Sequence, residues 1–208
     1  GPRSKSRPAA AGDHRCCSAP HGLAPAAPCT ISMHTSRGRS SEAAVAVPVS
    51  PANVAQELRH YLEDSGARVA VVEREVAARF AGLPLDELVV MDGLRASGQA
   101  PAPSTSTSTS KADDLCLMPY TSGSTGHPKG CMHTHATCLH NIAGSAMWKH
   151  VTGDAVALAT APFFHVTGLI HSFLATVYAG GTIVIQRRWD PLQAAALVER
   201  HRCTHWDN

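Results

Sequence analysis

Three observations predict an α/β fold with a mostly parallel sheet. Short runs rich in Val, Ile and Leu alternate with helix-period segments along residues 43–208. One of these runs, Val69–Val72, is continuously apolar, as strands covered on both faces are. Charged residues make up 16% of the chain, against roughly 25% in an average protein, so much of the chain must be covered by the rest. This composition excludes a fully disordered chain and a coiled coil. An aromatic share of only 5% argues against a base-stacking nucleic-acid binder.

The elements follow in order. Residues 1–42, rich in Pro, Ala, Ser, Gly and Arg, hold no period and are expected to be disordered. Val45, Val47 and Val49 alternate as a short strand. Ser50 and Pro51 are suited to cap and open a helix, and Val54, Leu58, Tyr61 and Leu62 give it one apolar face, with Gly66 as its stop. Val69–Val72 is the next strand, followed by a short helix near 73–80 and a strand at Leu88–Met91. Residues 96–112, with Pro101, Pro103 and an alternating Ser/Thr run, have nothing to bury and read as a solvated low-complexity loop. Then come a strand at Leu115–Pro119, a Gly/Ser/Thr loop, a helix at His135–Lys149 and a strand at Ala155–Ala159. A helix at Leu169–Tyr178 and a strand at Thr182–Gln186 follow. Asp190-Pro191 opens a further helix carrying Leu192, Ala195, Ala196 and Glu199, and Cys203–Trp206 starts the last strand.

Charge and cysteine usage narrow the function classes. Residues 1–42 carry six Lys or Arg against Asp13 and Glu42, a balance of +4 that leaves −2 for residues 43–208. The body therefore offers no basic footprint for nucleic acid. Seven scattered Cys, including adjacent Cys16 and Cys17, do not form a disulfide framework and point to reduced thiols in a cytoplasmic setting. No apolar signal region is read at the start. Asp154 to Arg187 encloses no charged residue, but Pro162, His165, Gly168, His171 and Gly180-Gly181 interrupt it. A buried strand, helix and strand is expected there rather than a membrane span. Peripheral membrane contact stays open.

The chemistry concentrates in Tyr120-Thr121-Ser122-Gly123-Ser124-Thr125-Gly126-His127-Pro128-Lys129-Gly130, between a predicted strand and a predicted helix. Gly123 and Gly126 permit backbone conformations in which N–H groups converge on an anion. The hydroxyls of Thr121, Ser122, Ser124 and Thr125 add donors, and Lys129 adds a cation. The spacing fits neither the common P-loop nor the three-glycine dinucleotide fingerprint. On composition alone, a flexible surface loop is the competing reading.

The stretch resembles the signature of the AMP-forming adenylating enzymes, which include acyl-CoA synthetases, luciferases and the adenylation domains of nonribosomal peptide synthetases. The likeness extends to Pro162-Phe163-Phe164-His165-Val166-Thr167-Gly168 and Ala179-Gly180-Gly181-Thr182-Ile183-Val184. It continues in Asp190-Pro191 through Thr204-His205-Trp206, and upstream in Val47–Asn53 through Asp64–Ala67. It covers roughly residues 43–208, and the His133-Thr134-His135 after the loop is similar to the fatty-acid CoA ligases.

The resemblance implies part of the large N-terminal domain of an adenylate-forming enzyme, with ATP, Mg²⁺, a carboxylic acid (most of all a fatty acid) and coenzyme A as its small molecules. It implies that Thr121, Ser122, Gly123, Ser124, Thr125, Gly126 and Lys129 hold the β- and γ-phosphates, that Lys129 neutralises charge there or helps fix the loop, and that His165 lines the acyl pocket near the reacting carboxylate, with Lys129 and His165 as the catalytic residues. For His165 the competing reading is a packing residue between Phe164 and Val166. The family's later motifs are not found: the adenine-binding Tyr-Gly-x-Thr-Glu, whose Glu helps hold Mg²⁺, the ribose-binding Asp, the hinge and the small C-terminal domain with its Lys. The chain is therefore expected to be a truncated piece, inactive alone, with a foreign start. Two other readings stay open: a non-catalytic phosphate-binding remnant, and an adenylation unit for an aryl or amino acid.

Cys131, His133, His135, Cys138 and His140 invite a zinc reading, but no fourth ligand shares the helix face of Cys131, His135 and Cys138. No metal ligands are expected. No Gly-x-Ser-x-Gly elbow marks a Ser hydrolase.

Overall fold

The computed structural model describes residues 44–91, 110–121 and 126–207, together with the backbone of Ile31–Met33. β1 (Ile31–Met33) pairs antiparallel with β2 (Val45–Val47). Those three residues, expected to lack regular structure, form a strand because β2 supplies the backbone partner; a three-residue run is too short to carry a readable period. The rest of the segment 1–42 lies outside the described residues, as does most of the low-complexity loop.

α1 (Ala55–Ser65) buries Leu58, Tyr61 and Leu62. It starts four residues later than Pro51 suggests. Ser50 caps a tight turn instead: its hydroxyl accepts from the Ala52 N–H at 3.2 Å and its carbonyl from the Asn53 N–H at 3.1 Å. The helix is then opened by Glu57, whose carboxylate accepts from the Val54 N–H at 2.9 Å. Val54 itself is 58% exposed and lies outside the apolar face. The Gly66 N–H closes the helix on the Leu62 carbonyl at 3.0 Å.

β3 (Val69–Glu73) sends Ala70 and Val72 into the core and pairs in parallel with β4 (Glu87–Met91). Between them lie α2 (Arg74–Ala77) and a 3₁₀ turn, Ala78–Phe80. β5 (Leu115–Leu117) pairs in parallel with β2 and antiparallel with β8 (His133–Thr134). Between β5 and β8, β6 (Tyr120–Thr121) and β7 (Lys129–Gly130) form a small hairpin.

α3 (His135–Trp148) is opened by a reciprocal cap. The Thr134 hydroxyl accepts from the Thr137 N–H at 3.2 Å, and the Thr137 hydroxyl accepts from the Thr134 N–H at 3.0 Å. β9 (Val156–Ala159) sits at the centre of a parallel three-stranded sheet, flanked by β10 (Thr182–Ile185) and β11 (His205–Asp207).

The uncharged stretch folds as strand, helix and strand. Its helix is π-wound over Thr167–Leu174 and continues as α4 (Ala175–Ala179). Among the described residues no helix is long and apolar enough to cross a membrane. α5 (Pro191–His201) begins where Asp190-Pro191 predicts, with the Asp190 carboxylate accepting from the Gln193 N–H at 2.9 Å. β11 begins two residues later than expected, because Arg202 in the left-handed region and the Cys203 N–H on the Val198 carbonyl first finish the helix.

The parallel pairings lie in β2/β5, β3/β4 and the three-stranded sheet; the antiparallel ones are confined to strands of two or three residues. The larger core gathers Val47, Val49, Leu58, Leu62, Val72 and Phe80 between α1 and the early strands.

Candidate functional site

The glycine- and hydroxyl-rich loop is closed at its base by the β6–β7 hairpin. Its register sets Tyr120 opposite Gly130 and Thr121 opposite Lys129. The Thr121 hydroxyl donates to the Lys129 carbonyl at 3.5 Å. Both residues are exposed, and among the described residues no ion pair engages the Lys129 ammonium. Gly126 adopts φ +122°, a conformation that a side chain would strain. Ser122, Gly123, Ser124 and Thr125 lie outside the described residues. Of the seven residues expected on phosphate, the structure thus brings Thr121 and Lys129 side by side, with Gly126 on the returning limb.

Helix α1 grips this base from beneath. The Tyr120 hydroxyl donates to the Asp64 carboxylate at 2.6 Å, and its ring lies 4.4 Å from that of Tyr61. On the other limb, His60 Nε2–H donates to the Pro128 carbonyl at 2.9 Å. The His60 ring also stands 5.1 Å from the ring of His127. Burial raises the Tyr120 phenol well above its ordinary range, and the neighbouring Asp64 carboxylate adds to the shift. The sequence reading missed His60 and Asp64 as site residues. They lie 68 and 56 residues from their partners, and the helical period marks only the apolar face between them.

His165 sits in a turn between β9 and the π-wound helix. It is exposed, and its Nδ1 accepts from the Thr167 N–H at 3.3 Å. A backbone N–H can only donate, so the neutral ring carries its proton on Nε2. The neighbouring Phe163 is buried against Phe173, ring centroids 5.0 Å apart. His165 is thus no packing residue; Phe163 fills that role. The turn is held closed at Gly168, where a Cβ would overlap the Pro162 carbonyl oxygen.

A cleft of about 530 Å³ opens at the C-terminal ends of β3, β9 and β10, the edge where parallel sheets bind their ligands. Glu73, Arg79, Thr160, Phe164, Gln186 and Arg187 are among its lining residues. The Arg187 guanidinium meets the Glu73 carboxylate at 2.9 Å. Gln186 is buried; its amide N–H₂ donates to the Asp190 carbonyl and the Gln193 side chain, and its own oxygen has no partner among the described residues.

The cysteine and histidine cluster after the loop does not converge. Among the described residues no three His, Cys, Asp or Glu could share a metal ion. Instead Cys116 and Cys138 face each other across β5 and α3, sulfurs 3.5 Å apart. Burial, with Cys138 beside it, pushes the Cys116 thiol up to about 12. Further along, Lys149 pairs with Asp207 at 2.7 Å and donates to the His171 carbonyl at 3.0 Å, tying the end of α3 to β11 and to the π-wound helix. Burial lowers the pKa of His171, and the Lys149 charge lowers it further.

Comparison with known proteins follows the same outline. Residues 40–207 match the profile of the AMP-binding enzyme family. A feruloyl-CoA synthase from Amycolatopsis sp is 36% identical over 163 residues, which are 77% of this chain and 32% of that protein. ATP-bound MatB from Rhodopseudomonas palustris superposes with a TM-score of 0.63 at 26% identity, covering 75% of this chain and 33% of that one. A Mycobacterium tuberculosis fatty acyl CoA synthetase gives a TM-score of 0.61 at 27% identity, covering 76% and 32%. The chain thus spans about a third of the length of the proteins it matches.

Proposed function

This chain belongs to the AMP-binding enzyme family, and from that premise we propose that it serves the ATP-dependent activation of a carboxylic acid, first to an acyl-adenylate and then to an acyl-CoA. In the first step a carboxylate oxygen attacks the α-phosphorus of ATP, and the bond to pyrophosphate breaks. In the second, the sulfur of coenzyme A attacks the acyl carbon and AMP departs.

The observation that carries the reading is the β6–β7 ladder, which pairs Thr121 with Lys129 at the mouth of the loop. Thr121, Ser122, Ser124 and Thr125 would donate hydroxyl hydrogen bonds to the β- and γ-phosphates. Gly123 and Gly126 would admit the phosphates close to the backbone, and the exposed Lys129 would balance charge on the departing pyrophosphate. His165, exposed and with its proton on Nε2, would stand by the reacting carboxylate and line the acyl pocket. Among the described residues no cluster of three metal-binding side chains offers a site for the Mg²⁺ expected with ATP.

A fatty acid is the acid first indicated by His133-Thr134-His135 after the loop. A second reading, an aryl acid such as ferulate, is favoured by the 36% identity to a feruloyl-CoA synthase. Four free cysteines among the described residues agree with a reducing, cytoplasmic setting.

The test is exchange of labelled pyrophosphate into ATP by an intact homologue that carries this segment in place of its own, driven by palmitate, ferulate or an amino acid. Exchange is expected with one of the first two. Lys129→Ala should lower it about 100-fold, the scale of losing one preorganised charge-stabilising donor, and Thr125→Val should lower it less. Undiminished exchange in both variants removes the loop from the chemistry. Binding of ATP with no exchange on any acid favours a non-catalytic phosphate-binding module.

A further inference from the structure

We propose that His60 and Asp64 of helix α1 are positioning residues for the phosphate loop, each fixing one limb of its base. The inference rests on the phosphate reading above and extends it to two residues that touch no phosphate.

The geometry that supports it is a two-point clamp. His60 and Asp64 lie four residues apart, one turn along the same helix face. Asp64 receives the Tyr120 hydroxyl on the outgoing limb, and His60 donates to the Pro128 carbonyl on the returning limb. Tyr61, between them, is buried in the larger core and stacks on Tyr120. The ladder itself is only two residues long on each side, which is too short to hold a hairpin alone in water. The spacing between Thr121 and Lys129 is therefore set by what lies under the hairpin. The strongest contacts there are a hydrogen bond to a carboxylate and one from an imidazole. Neither is required by the core. Asp64 is exposed and His60 only half-buried, so both can be replaced without opening a cavity.

The clamp also explains why residues so far from the loop in sequence carry polar side chains at these places. A helix face that merely met water would need no partner at 2.6 Å and another at 2.9 Å, one on each limb of the loop's base.

The experiment measures the affinity of the full chain for magnesium pyrophosphate by calorimetry, alongside amide hydrogen exchange at Lys129 and at Cys131, whose N–H donates to the Pro119 carbonyl across the hairpin. Tyr120→Phe, Asp64→Ala and His60→Leu are each expected to weaken binding about tenfold, the scale of one hydrogen bond to or from a charged or strongly polar group. Each should also speed exchange at the ladder. Asp64→Ala combined with Tyr120→Phe should be no weaker than either alone, because both remove the same bond. Asp64→Asn and His60→Gln, which keep an acceptor and a donor in place, should bind within about threefold of the parent. The inference is overturned if Lys129→Ala loses binding while the three disrupting variants keep the parent affinity. It is also overturned if ladder exchange is unchanged in all three. If the parent chain binds no pyrophosphate, the phosphate reading falls, and the clamp is then decided by ladder exchange alone.

Discussion

The two halves of the molecule bury their apolar residues differently. In the first, α1, β3 and the Ala78–Phe80 turn close over a continuous core in which Leu58 and Leu62 are each 2% exposed. In the second, the parallel sheet β10–β9–β11 hides Leu158 and Ala159, yet Trp148 is 87% exposed and Leu192 83% exposed. Trp189 and Trp206 stack on each other, centroids 5.5 Å apart, with half of each in solvent. The first half therefore has a stability of its own to lend. The phosphate loop is anchored there, through Tyr120 and Met118 packed on that core, and not on the more open second half.

The contrast can be broken most sharply at Leu62. Leu62→Ala should destabilise the chain by about 3 kcal/mol, as cavity-forming changes in closed cores do. Leu139→Ala, at a side chain 53% exposed, should cost under about 0.5 kcal/mol. Equal losses in urea unfolding would mean that the first core is no tighter than the second region.

Gly168→Ala comes next. The added methyl meets backbone carbonyls that cannot swing away, so a loss of about 1–3 kcal/mol is expected. His165 should show a changed imidazole NMR signal, since its turn must open; an unchanged signal would show the turn to be slack.

A smaller effect concerns pH. The Tyr120 phenol ionises later in the folded chain than in the unfolded one, so its contribution to stability is intact below about pH 10, the ordinary tyrosine value. That contribution is lost as pH rises from there through the raised value. Tyr120→Phe should flatten the stability curve above pH 10, and an unaltered slope would assign the alkaline loss to other groups. Smallest of all, Trp206→Ala should change stability by under about 1 kcal/mol, since the ring is half exposed and its stacking partner stays solvated.

What could be read from the sequence follows the range over which each signal acts. The α5 start was legible at Asp190-Pro191 because a cap is a contact over three residues. The loop was legible because its glycines, hydroxyls and lysine stand together. The α1 start was misplaced because Ser50-Pro51 suits a turn as well as a helix, and only the Glu57 carboxylate on the Val54 N–H decides between them. β1 could not be seen, because three residues become a strand only beside β2. The clamp residues His60 and Asp64 were invisible for the same reason: their partners arrive more than fifty residues later in the chain. The cysteine and histidine cluster is close in sequence only, and among the described residues its side chains do not meet at one point.

One contact has a kinetic meaning. Glu73 and Arg187 are 114 residues apart in the chain and meet across the cleft between β3 and the end of β10. Joining such distant residues requires closing the largest loop among the ion pairs described. It belongs among the last contacts made during folding and the first to part. Arg187→Gln should then leave the folding rate as it is and raise the unfolding rate slightly. Amide hydrogen exchange is then expected to be faster at Glu73 and Ile185, beside the cleft, than at Leu158 in the middle of its sheet.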